Sequence, residues 1–245
     1  QEARLRPEPT ESPIPARLPM PSSPFDTWTE PYDRWFTTPV GRLVYAYEAQ
    51  LLLELLDPQP GERILDAGCG SGIFTGEVLD RGATVVGLDL SLPMLGAARR
   101  RHARTRFFGL CADLSALPCA DASFDRVWSM TAIEFIADAA PALAELERVT
   151  RPGGTIVVTT LNSLSPWAEE RTRKGQAGHE LFSRVFFRSP DELRALIKPN
   201  CVLRTAVHFG KEDPVDQVPA LEQAGRLAGS DRGALLAVQW HRGMD

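Results

Sequence analysis

The chain of 245 residues has few cysteines, no long apolar run and no excess of positive charge. Its four cysteines do not form CxxC pairs, so neither a disulfide framework nor a structural zinc site is expected. No run of eighteen apolar residues occurs, and therefore we expect no membrane span. The first residues lack the apolar core of a signal peptide. Together these absences predict a reducing, cytoplasmic setting.

The formal net charge is −5, with 43% hydrophobic and 24% charged residues, which is an ordinary globular composition. A nucleic-acid-binding domain usually carries a basic surface, so no nucleic-acid partner is expected. A short basic cluster does occur at residues 98–106. We interpret it as the solvated end of a helix, where cations are favourable.

Composition divides the chain into three parts. Residues 1–24 carry a proline every few positions, which predicts a disordered or surface-hugging tail. Residues 25–60 are rich in aromatic side chains and contain a helical apolar period over 39–56, which predicts an N-terminal helical cap. Residues 61–245 are expected to form the main domain, with a polar, lid-like insert at 163–188.

From residue 62 onward, short apolar segments alternate with helical ones. Such alternation is typical of an α/β fold with a doubly wound, mostly parallel sheet. A helix is predicted over 72–82, and Ser91 is the expected N-cap of the next one. The last two apolar segments, 200–209 and 234–242, lack a clear crossover helix. They predict an antiparallel edge strand, for seven strands in all.

A glycine turn follows the first predicted strand in the segment ILDAGCGSGIF. Its spacing is GxGxG at Gly68, Gly70 and Gly72, whereas dinucleotide-binding turns are spaced GxGxxG to hold a pyrophosphate. Asp66 precedes the first glycine by two positions. A carboxylate there would repel a pyrophosphate, and the turn therefore favours a ligand that carries a cation.

Two further carboxylates follow the next two predicted strands. Asp89 is placed to accept hydrogen bonds from ribose hydroxyls. Asp113 is placed to accept from the amino group of an adenine, with Ala112 and Leu114 beside the ring. Because the carboxyl ends of parallel strands meet at one edge of the sheet, Asp66, Asp89 and Asp113 are expected in one crevice.

Residues 25–205 resemble the class I S-adenosylmethionine-dependent methyltransferases, in particular the small-molecule branch of the ubiquinone/menaquinone-biosynthesis type. The matching motifs are LDAGCGSG, VVGLDLS, CADLSALPCADASFDRVWS and ALAELERVTRPGGTIVVTTLN. The resemblance implies a Rossmann-like fold that binds S-adenosylmethionine and releases S-adenosylhomocysteine. It places the methionine amine near Asp66, the ribose on Asp89, and the adenine by Met94 and Asp113.

The resemblance also implies a cap that closes over the methionine end, formed by Tyr32, Trp35 and Thr38. The remaining residues expected around the cofactor are Gly68, Cys69, Gly70, Gly72, Leu90 and Ser129. The chain carries Cys119 where family members often carry phenylalanine, which affects local packing more than cofactor binding.

The implied reaction is an in-line displacement that moves a methyl group to a small-molecule acceptor. It depends on alignment, and a base is required only when the acceptor must lose a proton. His179 is the candidate base or substrate contact, and Glu134, Asn162 and Trp167 are candidate substrate contacts. A largely apolar acceptor pocket is expected from the aromatic side chains Trp167, Phe182, Phe186 and Phe187.

Two other functions remain open on the sequence. One is a non-catalytic protein that binds S-adenosylmethionine as a sensor or scaffold. The other is an NAD-dependent reductase, against which the glycine spacing argues. No metal is expected, and the chain is expected to be a monomer or a homodimer. The sequence does not identify the methyl acceptor.

Overall fold

The computed structural model describes residues 23, 25–197 and 200–243. The predicted tail, residues 1–24, lies outside the described residues except for Ser23. The helices are α1 (Thr29–Trp35), α2 (Pro39–Leu56), α3 (Thr75–Leu79), α4 (Leu92–Arg101), α5 (Ala140–Val149), α6 (Pro166–Gln176), α7 (Pro190–Leu196) and α8 (Val218–Leu227). The strands are β1 (Arg63–Ala67), β2 (Thr84–Asp89), β3 (Phe107–Cys111), β4 (Phe124–Ser129), β5 (Thr150–Leu161), β6 (Val202–Ala206) and β7 (Leu235–His241).

The seven strands form one sheet in the order β3-β2-β1-β4-β5-β7-β6. Strands β1 to β5 pair in parallel, whereas β7 is antiparallel to both β5 and β6. The edge strand β6 is thus joined to the sheet by an antiparallel pairing. The predicted fold class is confirmed, including its antiparallel edge.

The sheet is covered on both faces, as its apolar strands predict. Successive strand residues point to opposite faces, so Ile64 and Leu65 belong to different core clusters. The cluster around Ile64 packs under α2, and the cluster around Leu65 packs under α5. The resulting two-sided core fixes the ends of the parallel strands, where the turns that follow them meet.

Two elements differ from the sequence prediction. The helix after the glycine turn begins only at Thr75, because Gly72 has a φ of +73° and cannot belong to a right-handed helix. Strand β5 begins at Thr150, five residues before its apolar run starts at Thr155, through an additional pairing of Thr150 with Phe124.

The cap and the insert also have helical structure that the apolar pattern did not indicate. The cap contains α1 in addition to the predicted helix over 39–56, and the insert contains α6. Helix α1 is short and α6 is mostly polar, so neither shows a clear apolar period. Their aromatic side chains contact residues of other elements, as Trp35 and Trp167 contact each other. Within the described part of the chain, no helix combines the length and the apolar character needed to cross a bilayer.

Candidate functional site

A cavity of about 440 Å³ lies at the carboxyl ends of β1, β2 and β4. Its floor is the turn after β1, and its sides are the segments that follow β2, β3 and β4. Residues of the cap, including Phe25 and Tyr32, close the remaining side. The topology therefore brings the carboxylates of the predicted crevice, Asp66, Asp89 and Asp113, together at one edge of the sheet.

The three glycines of the turn have left-handed backbones but different surroundings. A Cβ on Gly68 would lie 2.5 Å from the Cβ of Ala132, and a Cβ on Gly72 would contact Ala98 and His102. A Cβ on Gly70 would meet no protein atom within 4 Å. Gly68 and Gly72 thus permit close packing, whereas Gly70 leaves backbone open to the cavity.

Asp66 reaches the cavity as a buried carboxylate with one free oxygen. Its Oδ2 accepts a hydrogen bond from Thr75 Oγ1 at 2.6 Å, and its Oδ1 has no partner among the described residues. Burial raises the pKa of Asp66 to about 7, while the Thr75 hydrogen bond lowers it. An unpaired buried carboxylate is costly, so this oxygen fits a cationic ligand group.

The Asp89 carboxylate is held rigidly at the end of β2. It accepts hydrogen bonds from the backbone N–H groups of Gly70 and Ser91, each at 2.8 Å. Burial raises the pKa of Asp89, and the two backbone donors oppose that shift. Asp113 also lines the cavity but is exposed, and its Oδ1 accepts from Ser115 N at 2.7 Å.

The cap is attached to these turns by two polar clamps. Ser91 Oγ donates to Asp26 Oδ1 at 2.7 Å. On the other side, Asp33 accepts from Ser71 Oγ at 2.5 Å and pairs with Arg101 at 2.7 Å. Arg101 also donates to the Ser71 carbonyl at 2.6 Å. The cap therefore contacts the glycine turn and the start of α4 directly.

Ten of the residues predicted to bind the cofactor line the cavity: Tyr32, Asp66, Gly68, Cys69, Gly70, Asp89, Leu90, Met94, Asp113 and Leu114. Five others lie away from its wall: Trp35, Thr38, Gly72, Ala112 and Ser129. We expected these five residues to line the cavity, but the structure places them outside its wall. Packing or local hydrogen bonding holds each of them there.

Thr38 is the N-cap of α2, with its Oγ1 accepting from Gly41 N at 3.0 Å and donating to the Trp35 carbonyl at 2.7 Å. The Trp35 ring packs against Trp167 with a centroid distance of 6.4 Å. Ser129 lies completely buried inside β4. These side chains support the cavity from behind.

Gly72 and Ala112 also lie behind the wall. Gly72 packs against His102, whose Nε2 lies 2.7 Å from the Gly72 carbonyl oxygen. Ala112 is buried, and its N–H donates to the Asp89 carbonyl at 3.2 Å. Both residues fix the turns that carry the cavity-lining groups.

The candidate substrate contacts are placed differently from one another. Asn162 is buried, and its Nδ2 donates to the carbonyls of Asp231 and Gly233 at 2.7 and 2.8 Å. Trp167 is buried, and its Nε1 donates to the Phe209 carbonyl at 2.6 Å. Neither lines the cavity, and the polar groups of both are used within the fold.

His179 does not line the cavity either. Its ring lies between the rings of Trp28 and Phe182, with centroid distances of 5.4 and 4.4 Å. The insert thus packs onto the cap through this aromatic stack. The sequence suggested His179 as a catalytic base or substrate contact, whereas its position in this stack favours a packing role.

Glu134 lies in the 3₁₀ turn Ile133–Phe135 behind the cavity wall and is completely buried. Its Oε2 accepts from Thr160 Oγ1 at 3.4 Å, and its Oε1 has no partner among the described residues. Burial raises the pKa of Glu134 to about 7. Arg188 of the insert holds this turn by donating to the Ile133 carbonyl at 2.9 Å.

Apart from Glu134, the sequence did not indicate the segment that follows β4, residues 130–137, which supplies a large part of the wall. Within it, Thr131 has a φ of +47°, an uncommon conformation for a residue with a Cβ. Strand β4 is parallel to β1, so its carboxyl end lies at the same sheet edge as Asp66, Asp89 and Asp113. The other residues of the segment form no conspicuous motif, so the sequence alone does not point to them.

These features fit the S-adenosylmethionine implied by the sequence motifs. The free Asp66 oxygen suits an ammonium group, the open backbone at Gly70 gives room, and Asp89 offers a fixed acceptor. No group of side chains suited to a metal ion occurs in the residues that the structure covers.

Comparison with known proteins gives matches that include the strands and turns around the cavity. A family profile described as a methyltransferase domain matches residues 65–158. A malonyl-[acyl-carrier protein] O-methyltransferase from Serratia marcescens is 33% identical over 199 residues, covering 72% of this chain and 75% of that protein.

A malonyl-[acyl-carrier protein] O-methyltransferase from Pseudescherichia vulneris is 46% identical over 115 residues, which are 47% of this chain and 45% of the relative. That match spans less than half the length of the relative. Among solved structures, a methyltransferase from Thermotoga maritima superposes with a TM-score of 0.71 at 22% identity, covering 89% of this chain and 98% of that one. The likeness shows the shared fold.

Proposed function

Because the chain belongs to the class I S-adenosylmethionine-dependent methyltransferases, we propose that it methylates a carboxylate oxygen of a small acyl acceptor. The observation that carries the donor half of this proposal is the free, buried Asp66 oxygen in the cavity, beside the open backbone of Gly70. When bound, S-adenosylmethionine supplies a methyl group activated by a sulfonium.

The acceptor half is supported by the relatives. The Serratia marcescens protein is named as an O-methyltransferase of a malonyl group, and a malonyl thioester presents one free carboxylate. Such an acceptor is already ionised at neutral pH, so the chain needs no base to activate it. This agrees with the position of His179, whose ring is stacked away from the cavity.

The reaction balances without a further reactant. The acceptor carboxylate oxygen forms a bond to the methyl carbon while the carbon–sulfur bond breaks, and the electron pair stays on sulfur. The products are a methyl ester and S-adenosylhomocysteine. The contribution of this chain is to align the two groups and exclude water, through the cap and the wall after β4. Alignment of this kind supplies up to about 7–11 kcal/mol of the barrier.

The test is product detection with a panel of acceptors. The purified chain is incubated with S-adenosylmethionine and malonyl-CoA, malonyl-pantetheine or a malonyl-loaded carrier protein, with acetyl-CoA as the matched acceptor that lacks the carboxylate. We expect S-adenosylhomocysteine and a methyl ester with the malonyl compounds only. Methylation confined to amine, thiol or quinol acceptors contradicts the proposed acceptor. Tight cofactor binding without turnover on any acceptor favours a sensor instead.

A further inference from the structure

Four polar side chains from separate elements converge behind the cavity. They are Tyr32 of α1, Glu48 of α2, Glu134 of the 3₁₀ turn after β4, and Arg171 of α6. Each of the two glutamates interacts electrostatically with Arg171 and with Tyr32. Tyr32 also lines the cavity, so this polar cluster adjoins the cofactor site.

The two glutamates are buried whereas Tyr32 and Arg171 are partly exposed, and no close ion pair joins the charged groups of the cluster within the described residues. Glu48 is only 7% exposed and Glu134 is fully buried. Glu134 Oε1 has no hydrogen-bond partner within the described chain. Neither Glu48 nor Arg171 forms a hydrogen bond or a close ion pair with any residue that the structure describes. Buried carboxyl groups normally have partners, so the unpartnered oxygen of Glu134 suits a ligand group that completes the cluster.

The Arg171 guanidinium is oriented by the ring of Trp167, whose centroid lies 5.3 Å from its central carbon. Trp167 is itself fixed through the hydrogen bond from its Nε1 to the Phe209 carbonyl. A guanidinium held against an aromatic face keeps its hydrogen-bond donors free at its edge. Those donors match the two oxygens of a carboxylate.

The two glutamates are also compatible with a carboxylate ligand. Burial raises the pKa of Glu48 to about 8 and that of Glu134 to about 7, with Arg171 opposing both shifts. These raised pKa values favour the protonated form of both side chains near neutral pH. A protonated carboxyl group donates a hydrogen bond, so Arg171 remains the fixed charge of the cluster.

We infer that Arg171, assisted by Glu48 and Glu134 as hydrogen-bond donors, binds the carboxylate of the methyl acceptor next to Tyr32. The inference rests on the proposed function and assigns its acceptor-recognition residues. An ammonium acceptor would instead face the Arg171 cation and require both glutamates to ionise in a buried site. The cluster therefore selects acidic acceptors over basic ones.

The experiment compares Arg171→Gln with Arg173→Gln, an exposed arginine on the same helix. Steady-state kinetics use malonyl-CoA, and calorimetry measures S-adenosylhomocysteine affinity as the check on folding. We expect Arg171→Gln to raise KM for malonyl-CoA about 100-fold, because it removes the partly buried cation that would pair with the acceptor carboxylate. Cofactor affinity and the Arg173→Gln values should stay within about threefold of wild type.

Two further variants keep the test decisive. Arg171→Lys retains the charge, so its KM for malonyl-CoA should be at least about tenfold lower than that of Arg171→Gln. Glu48→Gln keeps a donor and should change KM at neutral pH by less than about fivefold. An unchanged KM in a folded Arg171→Gln variant, or a larger loss in Glu48→Gln than in Arg171→Gln, overturns the inference.

Failure of the inference can be separated from failure of the proposed function. Calorimetry of the S-adenosylhomocysteine-loaded protein with malonyl-CoA and with acetyl-CoA measures acceptor binding without turnover. Arginine-dependent binding of malonyl-CoA without ester formation supports the carboxylate site and contradicts the proposed reaction. Ester formation that does not depend on Arg171 supports the reaction and contradicts the site.

Discussion

At the scale of single residues, the free oxygen of Asp66 determines how the site responds to ligand and pH. It is buried, and only its other oxygen is hydrogen-bonded, to Thr75. An ammonium group would complete its coordination. Pairing requires the ionised carboxylate, whose pKa is raised to about 7 by burial before the ligand binds.

We therefore predict that Asp66→Asn weakens S-adenosylmethionine binding about 10–100-fold. In wild type the affinity should rise as pH increases from about 6 to about 8, because the fraction of ionised Asp66 rises. The variant should lose most of this dependence. Titration calorimetry measures both effects, and the exposed Asp80→Asn serves as control. Equal affinities for wild type and Asp66→Asn would contradict the role of this carboxylate.

The glycine turn offers a second residue-scale prediction through a matched pair. Gly68→Ala combines a φ of +84° with a Cβ placed 2.5 Å from Ala132, so it should destabilise the fold by about 2–4 kcal/mol. Gly70→Ala has a φ of +52° but no protein contact, so it should cost only about 1 kcal/mol.

Because the Gly70 methyl would enter the cavity, Gly70→Ala should lose cofactor affinity at least about tenfold despite its milder effect on folding. Urea unfolding and calorimetry on the same samples separate the two effects. A Gly70→Ala variant that binds the cofactor normally would show that this backbone is not approached by the ligand.

At the scale of elements, the cap is held in place by polar contacts to the turns after β1 and β2. Asp33 of α1 joins Ser71 and Arg101, and Asp26 joins Ser91. Helix α1 buries no residue completely. Its position therefore depends on these clamps and on the aromatic contacts around Trp35 and Phe36.

We predict that Asp33→Asn loosens the cap without unfolding the domain. Hydrogen exchange in residues 25–36 should accelerate about 5–30-fold, the equivalent of about 1–2 kcal/mol for a partly buried charged contact. Cofactor dissociation should accelerate with it. Arg34→Gln removes only an exposed pair with Glu30 and provides the control. Unchanged exchange in Asp33→Asn would mean that the aromatic contacts alone hold the cap.

The elements themselves were predictable to different degrees. Helix α2 and the strands β1 to β4 follow apolar periods that are local in the sequence. Helix α6 is polar along most of its length, and only the tertiary structure shows that Trp167 is buried and that Arg171 packs against its ring. Asn162 looked like a substrate contact at a strand end, but it bonds the chain around residue 231, which sequence spacing cannot indicate.

At the scale of the whole molecule, the buried acids make the unliganded protein sensitive to pH. Burial raises the pKa of Glu48 to about 8, and those of Asp66 and Glu134 to about 7. A raised pKa means that the folded state binds the proton more tightly than the unfolded state. The stability from these groups is therefore present at low pH and is lost as pH rises through about 7–8.

We predict that the unfolding free energy of the unliganded protein decreases between about pH 5.5 and about pH 8.5. In Glu48→Gln the decrease should be smaller by on the order of 3 kcal/mol, because the amide does not ionise. Urea unfolding across this range measures the slopes, and Glu169→Gln on the exposed side of α6 is the control. Parallel slopes for wild type and Glu48→Gln would show that Glu48 is not held in its protonated form.

By itself the sequence determined the alternation of strands and helices, the glycine turn, and the convergence of Asp66, Asp89 and Asp113 at one sheet edge. These depend on side-chain periodicity, backbone conformation and the direction of parallel strands, which are all local properties. Only the tertiary structure decided that Trp35, Thr38 and His179 lie outside the cavity, and that Arg171 comes close enough to Glu48 and Glu134 to interact with them electrostatically. These positions involve segments far apart in the chain, and they depend on how whole elements pack.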